Sequence, residues 1–151
     1  MKMAVGGDST CHLADVICGH LEQRGIDLVR CGALAGKEAD YVDSGREVAD
    51  LVASHACEQG ILFCNTGTGA SIVANKVPGV RAALCVDAYA AEIARLANNA
   101  NVIVLSIFAT SEHRGKEILE VWLETEPSTE PRRVNFHRKL DELDAHCHRE
   151  R

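Results

Sequence analysis

The stretch from Gly60 to Ser71, with the sequence GILFCNTGTGAS, most constrains the fold of this chain. Its continuous apolar run, Gly60–Cys64, predicts a strand that is buried on both faces, as in parallel sheets. A turn with Gly67 and Gly69 follows at once, and a helical pattern then continues to Lys76. A strand, a glycine turn and a helix in direct succession are typical of α/β proteins with parallel strands.

The same alternation extends along the whole chain. Apolar runs predict four more strands, at Lys2–Val5, Ile26–Arg30, Arg81–Cys85 and Val102–Ser106. Helical spacing predicts helices at about 10–24, 43–58, 68–76, 87–97, 112–124 and 133–148. We therefore expect a single domain over residues 1–151, α/β in class, with a Rossmann-like, doubly wound parallel sheet of about five strands. Residues 1–126 form its core, and residues 127–151 form a linker and a charged C-terminal helix that reaches a partner subunit.

Charge and cysteine content exclude several classes of function. The formal net charge of -6 argues against a nucleic-acid or anionic-membrane surface. No apolar stretch reaches transmembrane length and no signal peptide is recognisable, so we expect a cytoplasmic protein. The seven cysteines include no C-x-x-C pair. That pattern argues against a disulfide framework or a zinc site, and most of the cysteines are expected to be buried apolar residues.

The expected ligand site lies beyond the carboxyl ends of the parallel strands. The turns there carry Asp8, Ser9, Tyr41, Cys64 to Ser71 and, with less support from the pattern, Asn98. Asp8 or Ser9 is also expected to cap the first helix. A thiol at a strand end beside a helix start favours the thiolate, which can act as a nucleophile or a general base. The successive backbone amides of the loop can hold an oxyanion.

Nucleotide-binding patterns are incomplete in this loop. The phosphate-loop pattern requires a lysine that does not follow Gly69, and the dinucleotide fingerprint lacks its third glycine. The second strand ends in Arg30 and Cys31, without the acidic residue that binds a ribose hydroxyl. A nucleotide-binding module is therefore an alternative with little support.

Longer motifs carry a specific resemblance. The block CNTGTG at residues 64–69, followed by SIVANKVPGVRAALC at residues 71–85, closely resembles the core of the ribose-5-phosphate isomerase B and galactose-6-phosphate isomerase family. Gly6, Asp8, Asp40-Tyr41, Asn98 and the Arg132-Arg133-Val134 segment match the family in the same order. The resemblance implies a Rossmann-like subunit that forms a homodimer or tetramer, with active sites at the subunit interface.

The resemblance also implies a chemistry and a set of roles. The reaction would be aldose–ketose isomerisation of a sugar phosphate through a cis-enediolate, without a metal or another cofactor. Cys64 would move the proton between C1 and C2, and Thr66 would exchange a proton with a substrate oxygen. Sugar hydroxyls would be held by Asp8, Tyr41 and Asn98. The enediolate would be held by the amides of Asn65, Gly67, Thr68, Gly69, Ala70 and Ser71. The phosphate would be held by Arg132 or Arg133, whose guanidinium fork suits it.

Departures from the family pattern bear on the substrate. Ser9 replaces a histidine that often contacts the phosphate, and Ala97 replaces the histidine that opens the sugar ring. A tetrose 4-phosphate cannot close a furanose ring, because its O4 carries the phosphate. We therefore expect interconversion of D-erythrulose 4-phosphate and D-erythrose 4-phosphate. The alternatives are a ribose-5-phosphate isomerase in which His12 or His137 opens the ring, and a non-catalytic subunit that pairs with a complete one.

Overall fold

The computed structural model describes residues 1–149, and its centre is a five-stranded parallel sheet. The strands are β1 (Lys2–Gly7), β2 (Asp27–Gly32), β3 (Gln59–Cys64), β4 (Ala82–Leu84) and β5 (Val102–Ser106). They lie in the order β2-β1-β3-β5-β4, so the strand that ends in Cys64 is central. The predicted α/β class and doubly wound parallel sheet are confirmed.

Within residues 1–149, six α-helices and one 3₁₀ turn accompany the strands. They are α1 (His12–Gln23), the turn Ala33–Ala35, α2 (Tyr41–Ala53), α3 (Thr68–Ala74), α4 (Ala88–Asn98), α5 (Glu112–Glu124) and α6 (Pro131–Arg149). Alternate residues of the central strands enter two separate cores. Ile61 and Phe63 pack with α1, α4 and α5 on one face, whereas Leu62 packs with α2 and α3 on the other. Burial on both faces explains the uninterrupted apolar run in β3.

Two helix starts differ from the sequence predictions. The N-cap of α1 is Cys11, whose Sγ accepts the N–H of Ala14 at 3.4 Å, rather than Asp8 or Ser9. Helix α2 begins at Tyr41, two residues earlier than expected, because the Asp40 carboxylate accepts the N–H groups of the first turn. Asp8 and Ser9 are therefore not used as caps, and Tyr41 occupies a fixed place on a helix.

The expected end of α2 near residue 58 is wrong. The helix stops at Ala53, since Ser54 caps it and His55 takes a left-handed backbone with φ of 59°. His55 falls within the range expected for this helix, but it lies beyond the actual helix end and is exposed. Cys57 still enters the core after this turn, and its N–H donates to the Leu51 carbonyl at 3.0 Å.

Helix α6 docks on its own chain near the amino ends of the strands. His137 Nε2 lies 2.9 Å from the carbonyl oxygen of Ala97. Asp141 pairs with Arg81 at 3.1 Å, and Asp144 accepts the N–H of Gly79 at 2.9 Å. The contact of α6 with a partner subunit stays a prediction. Among residues 1–149, no helix combines the length and apolar composition needed to cross a bilayer.

Candidate active site

Cys64 lies at the centre of the carboxyl edge of the sheet. It is the last residue of β3, it pairs in register with Ser106 of β5, and only 7% of it is exposed. On the other side β1 ends at Gly7, which pairs with Phe63. Asp8 and Ser9 follow Gly7 directly, so the structure brings these two residues to the same edge as the thiol.

The loop after Cys64 presents a row of unused backbone donors. Gly67 has a left-handed backbone with φ of 83°, and α3 begins at Thr68 without a side-chain cap. Within residues 1–149, the N–H groups from Thr66 to Ala70 have no protein acceptor, and Ser71 is the first to bond back to the loop, at Gly67. The Thr66 and Thr68 hydroxyls lie 2.9 Å apart. Five successive free amides beside a thiol suit a developing oxyanion.

Tyr41 packs against this loop from α2. A Cβ atom added at Gly69 would lie 2.9 Å from Cε2 of Tyr41, so the ring rests directly on the glycine backbone. The hydroxyl of Ser44, one turn further along α2, donates to the Gly7 carbonyl at 2.9 Å and ties the helix to the end of β1. The carboxyl edge therefore brings Tyr41 to the residues of the loop after β3.

A second group of expected site residues lies at the opposite edge. Asn98 ends α4, which runs back from the carboxyl edge, and Asn101 pairs with Arg81 at the start of β4. The expectation that Asn98 shares a cleft with Cys64 is therefore wrong within one chain. Asn98 instead borders a cavity of about 710 Å³ whose lining is Ala97, Asn98, Glu130, Arg132, Arg133, Phe136, Lys139, Leu140 and Leu143.

Positive charge dominates this amino-edge cavity. Among the described residues that line it, Arg132, Arg133 and Lys139 are cationic and Glu130 is the one carboxylate. Arg133 Nε lies 3.5 Å from Glu130, and its Nη1 is enclosed with no hydrogen-bond partner among the described residues. A buried guanidinium donor without an acceptor is costly, so an arriving oxyanion would gain from satisfying it.

The two histidines considered as replacement ring openers are already engaged. His12 Nε2 lies 2.5 Å from the Glu112 carboxylate on the surface. His137 Nε2 lies against the Ala97 carbonyl, which can only accept a hydrogen bond, so this nitrogen carries the proton. The Nε2 atom of each histidine is therefore engaged within the chain.

Four other cysteines of the described residues lie in the core, namely Cys18, Cys31, Cys57 and Cys85. Burial raises the pKa of Cys18 to about 11 and the pKa values of Cys31 and Cys85 to about 12, so these thiols stay protonated at neutral pH. Within residues 1–149, no cluster of three or more His, Cys, Asp or Glu side chains could hold a metal ion. Cys147, next to the C-terminal end of α6, has a side chain outside the described residues.

Sequence reasoning missed one polar residue at this edge. Ser106 ends the buried strand β5 as Cys64 ends β3, and its hydroxyl donates to the Asn65 carbonyl at 2.8 Å. The available signal was a polar residue at the end of an apolar strand. The sequence pattern alone does not show whether that strand lies beside β3 or far from it. The sheet order places Ser106 beside the thiol.

The fold and the carboxyl edge together define an α/β enzyme domain with a thiol and an amide cradle at its strand ends. A sequence profile of the Ribose/Galactose Isomerase family matches residues 3–140, and the chain belongs to that family. It is an aldose–ketose isomerase, as the resemblance in the sequence implied.

Individual relatives and solved structures agree with this assignment. A D-erythrulose-4-phosphate isomerase of Pectobacterium atrosepticum is 38% identical over 128 residues, covering 83% of this chain and 84% of that protein. Ribose-5-phosphate isomerase B of Escherichia coli is 35% identical over 123 residues, covering 81% and 83%. The structure of Clostridium thermocellum ribose-5-phosphate isomerase B aligns with a TM-score of 0.88 at 34% identity, covering 96% of this chain and 98% of that one.

Proposed function

We propose that this chain interconverts D-erythrulose 4-phosphate and D-erythrose 4-phosphate. The observation that carries the proposal is Ala97, a methyl group on the wall of the positively charged cavity, where the family resemblance leads us to expect a ring-opening histidine. The two possible replacements, His12 and His137, are hydrogen-bonded elsewhere. An open-chain tetrose phosphate needs no ring opener, and a relative with 38% identity bears the name of that activity.

The reaction would use the residues of the carboxyl edge. The Cys64 thiolate takes the proton from C1 of the ketose, and the electron pair moves to form the cis-enediolate. The free amides from Thr66 to Ala70 hold the enediolate oxygen, whereas the N–H of Ser71 is already bonded to the Gly67 carbonyl. The Thr66 hydroxyl gives a proton to O2 and takes the proton of O1. Cys64 then returns its proton to C2, which gives the aldose without a change of oxidation state overall. The low exposure of Cys64 keeps bulk water away from this transfer.

The binding roles follow from the same placement. Tyr41 packs on Gly69 of the amide loop, and Asp8 and Ser9 follow β1 at the same edge of the sheet; these three residues would hold the sugar end. Asn98 with Arg132 or Arg133 lies at the amino edge, where the enclosed Nη1 of Arg133 and the adjacent cations favour a phosphate. We propose that a second copy of the chain brings its amino-edge cavity to the first copy's thiol, so that each site is shared between two subunits of a homodimer.

A substrate panel tests the proposed reaction. Purified protein should show kcat/KM for D-erythrulose 4-phosphate at least about 10-fold above that for ribose 5-phosphate. Efficient turnover of ribose 5-phosphate with poor turnover of the tetrose would favour the alternative function, to which the Escherichia coli relative points. If the chain is a tetrose-phosphate isomerase, Ala97→His should raise its turnover of ribose 5-phosphate by about 10- to 100-fold, the range expected for a restored acid–base group.

A thiol substitution tests the base. Cys64→Ala should lower kcat by at least about 10²-fold while leaving the fold intact. Cys18→Ala is the matched control, because Cys18 is a buried thiol on α1 away from the reaction. Near-normal turnover of Cys64→Ala would exclude a thiolate mechanism, and an inactive wild-type protein would favour a non-catalytic partner subunit.

Mixing two inactive variants tests the shared site. Cys64→Ala and Arg133→Ala damage opposite edges, so a hybrid dimer holds one site with both defects and one site with neither. Unfolding and refolding the mixture should therefore restore activity, since about half of the sites in each hybrid are intact. Failure of the mixture to regain activity, although dimers form, would contradict a site shared between subunits.

A further inference from the structure

The segment after β5 holds the carbonyl of Cys64 and that of the residue after it. Ile107 N–H donates to the Cys64 carbonyl at 2.9 Å, and Phe108 N–H donates to the Asn65 carbonyl at 3.1 Å. The Ser106 hydroxyl adds a second, shorter bond to the Asn65 carbonyl, at 2.8 Å. Ser106 is 5% exposed, so water does not compete for this contact.

A second contact sets the direction of the Ser106 hydroxyl. The N–H of Ala109 donates to Ser106 Oγ at 3.2 Å, which occupies a lone pair of the oxygen. The hydroxyl hydrogen is then free to point at the Asn65 carbonyl, which can only accept. Ser106 thus links the segment after β5 to the loop after β3 through two hydrogen bonds.

The geometry of a peptide bond carries this constraint to the next amide. The C=O and N–H of a trans peptide point in opposite directions in one plane. Because the Asn65 carbonyl is fixed toward the segment after β5, the Thr66 N–H points away from that segment. Thr66 is the first of the five amides without a protein acceptor among residues 1–149. A hydrogen bond to the carbonyl also polarises the amide and strengthens its N–H as a donor.

We propose that Ser106 is a positioning residue for the isomerisation, which fixes and polarises the Asn65–Thr66 peptide so that the Thr66 N–H stabilises the enediolate oxygen. The inference rests on the proposed function and adds to it a residue that does not touch the substrate. Phe108 N–H still holds the Asn65 carbonyl when the hydroxyl is removed. The effect of Ser106 is therefore smaller than the loss of an oxyanion donor itself.

The first test separates kcat from KM. Ser106→Ala should lower kcat about 10-fold, below the 10²- to 10³-fold cost of deleting an oxyanion donor, and should change KM less than about 2-fold. Thr125→Val is the matched control, because the Thr125 hydroxyl donates to the Val121 carbonyl at 2.6 Å at the end of α5. Both variants lose one hydroxyl-to-carbonyl bond, but only Ser106→Ala should lose kcat.

The second test uses ligands and needs no turnover. The planar hydroxamate of 3-phosphoglyceric acid resembles the enediolate of a tetrose phosphate, whereas erythritol 4-phosphate resembles the substrate in its ground state. By calorimetry, Ser106→Ala should weaken the hydroxamate about 10-fold and the polyol phosphate less than about 2-fold. An equal loss for both ligands would indicate a general structural role and would overturn the proposal.

The outcomes also separate the two proposals. If the wild-type protein turns over tetrose phosphate and Ser106→Ala keeps its kcat, the inference about Ser106 is wrong and the proposed function stands. If the wild-type protein isomerises neither tetrose nor ribose phosphate, the proposed function fails and the inference about Ser106 falls with it.

Discussion

The backbone of Gly67 gives a prediction that can be worked out from distances. Its φ of 83° is a left-handed conformation, which costs a residue with a side chain about 1–2 kcal/mol. A Cβ atom at this position would also lie 2.4 Å from Cδ1 of Leu84, so the leucine must move. Overpacking of this kind costs about 1–3 kcal/mol. Gly67→Ala should therefore lower the free energy of unfolding by about 2–5 kcal/mol.

Gly25 provides the matched control for this substitution. Its φ of 74° is similar, but nothing lies within 4 Å of an added Cβ atom. Gly25→Ala should thus cost only the backbone strain of about 1–2 kcal/mol. Urea unfolding can be followed by the fluorescence of Trp122, which is the only tryptophan of the chain and is fully buried.

A double substitution isolates the contact with Leu84. In a Leu84→Ala background the crowding atom is absent, so adding Gly67→Ala should cost no more than Gly25→Ala does. If Gly67→Ala and Gly25→Ala destabilise the protein equally in the wild-type background, the contribution assigned to Leu84 is refuted.

Three further substitutions or conditions have expected outcomes. Arg95→Met should lower the free energy of unfolding by about 2–4 kcal/mol, because Arg95 is buried and its Nη1 and Nε donate to two carbonyls that would lose their donor; a urea midpoint equal to that of the wild type would contradict this. Gly69→Ala should raise KM about 10-fold by displacing the ring of Tyr41, with a smaller effect on kcat. An unchanged KM in steady-state kinetics would contradict this prediction. The free energy of unfolding should fall between pH 9 and 11, because buried thiols stay protonated in the folded state while the same thiols ionise in the unfolded state. The expected loss is about 1.4 kcal/mol per pH unit for each such thiol. Urea midpoints measured across this pH range would reveal the loss, and an alanine at one of these positions should reduce it. The thiols with such raised pKa values are Cys18, Cys31 and Cys85.

The order of strands and helices could be predicted because each strand is a short apolar run with its own boundary. The run Gly60–Cys64 and the actual strand β3, Gln59–Cys64, differ by one residue. Helix starts were harder, since Cys11 caps α1 with a thiol although capping statistics favour Asp8 or Ser9. The cap depends on where the chain leaves β1, which local sequence does not determine.

The carboxyl edge of the site was also predictable, because consecutive parallel strands end at one edge of a sheet. Asn98 was misplaced because its helix returns to the amino edge before the residue is reached. Ser106 was missed because its role depends on β5 lying beside β3, a non-consecutive pairing. Sequence spacing indicates which residues come after each strand, whereas the sheet order decides which of these residues meet.

The separation of the two edges has a consequence for how this protein can change. Cys64 ends β3 at the carboxyl edge of the sheet, whereas Ala97 and Arg133 line the amino-edge cavity of the same chain. In the proposed homodimer, substitutions at the amino edge would therefore alter the site of the partner without repacking the loop around Cys64 in their own chain. A combinatorial library confined to residues 97, 98 and 129–133 would explore new specificities on an unchanged catalytic background.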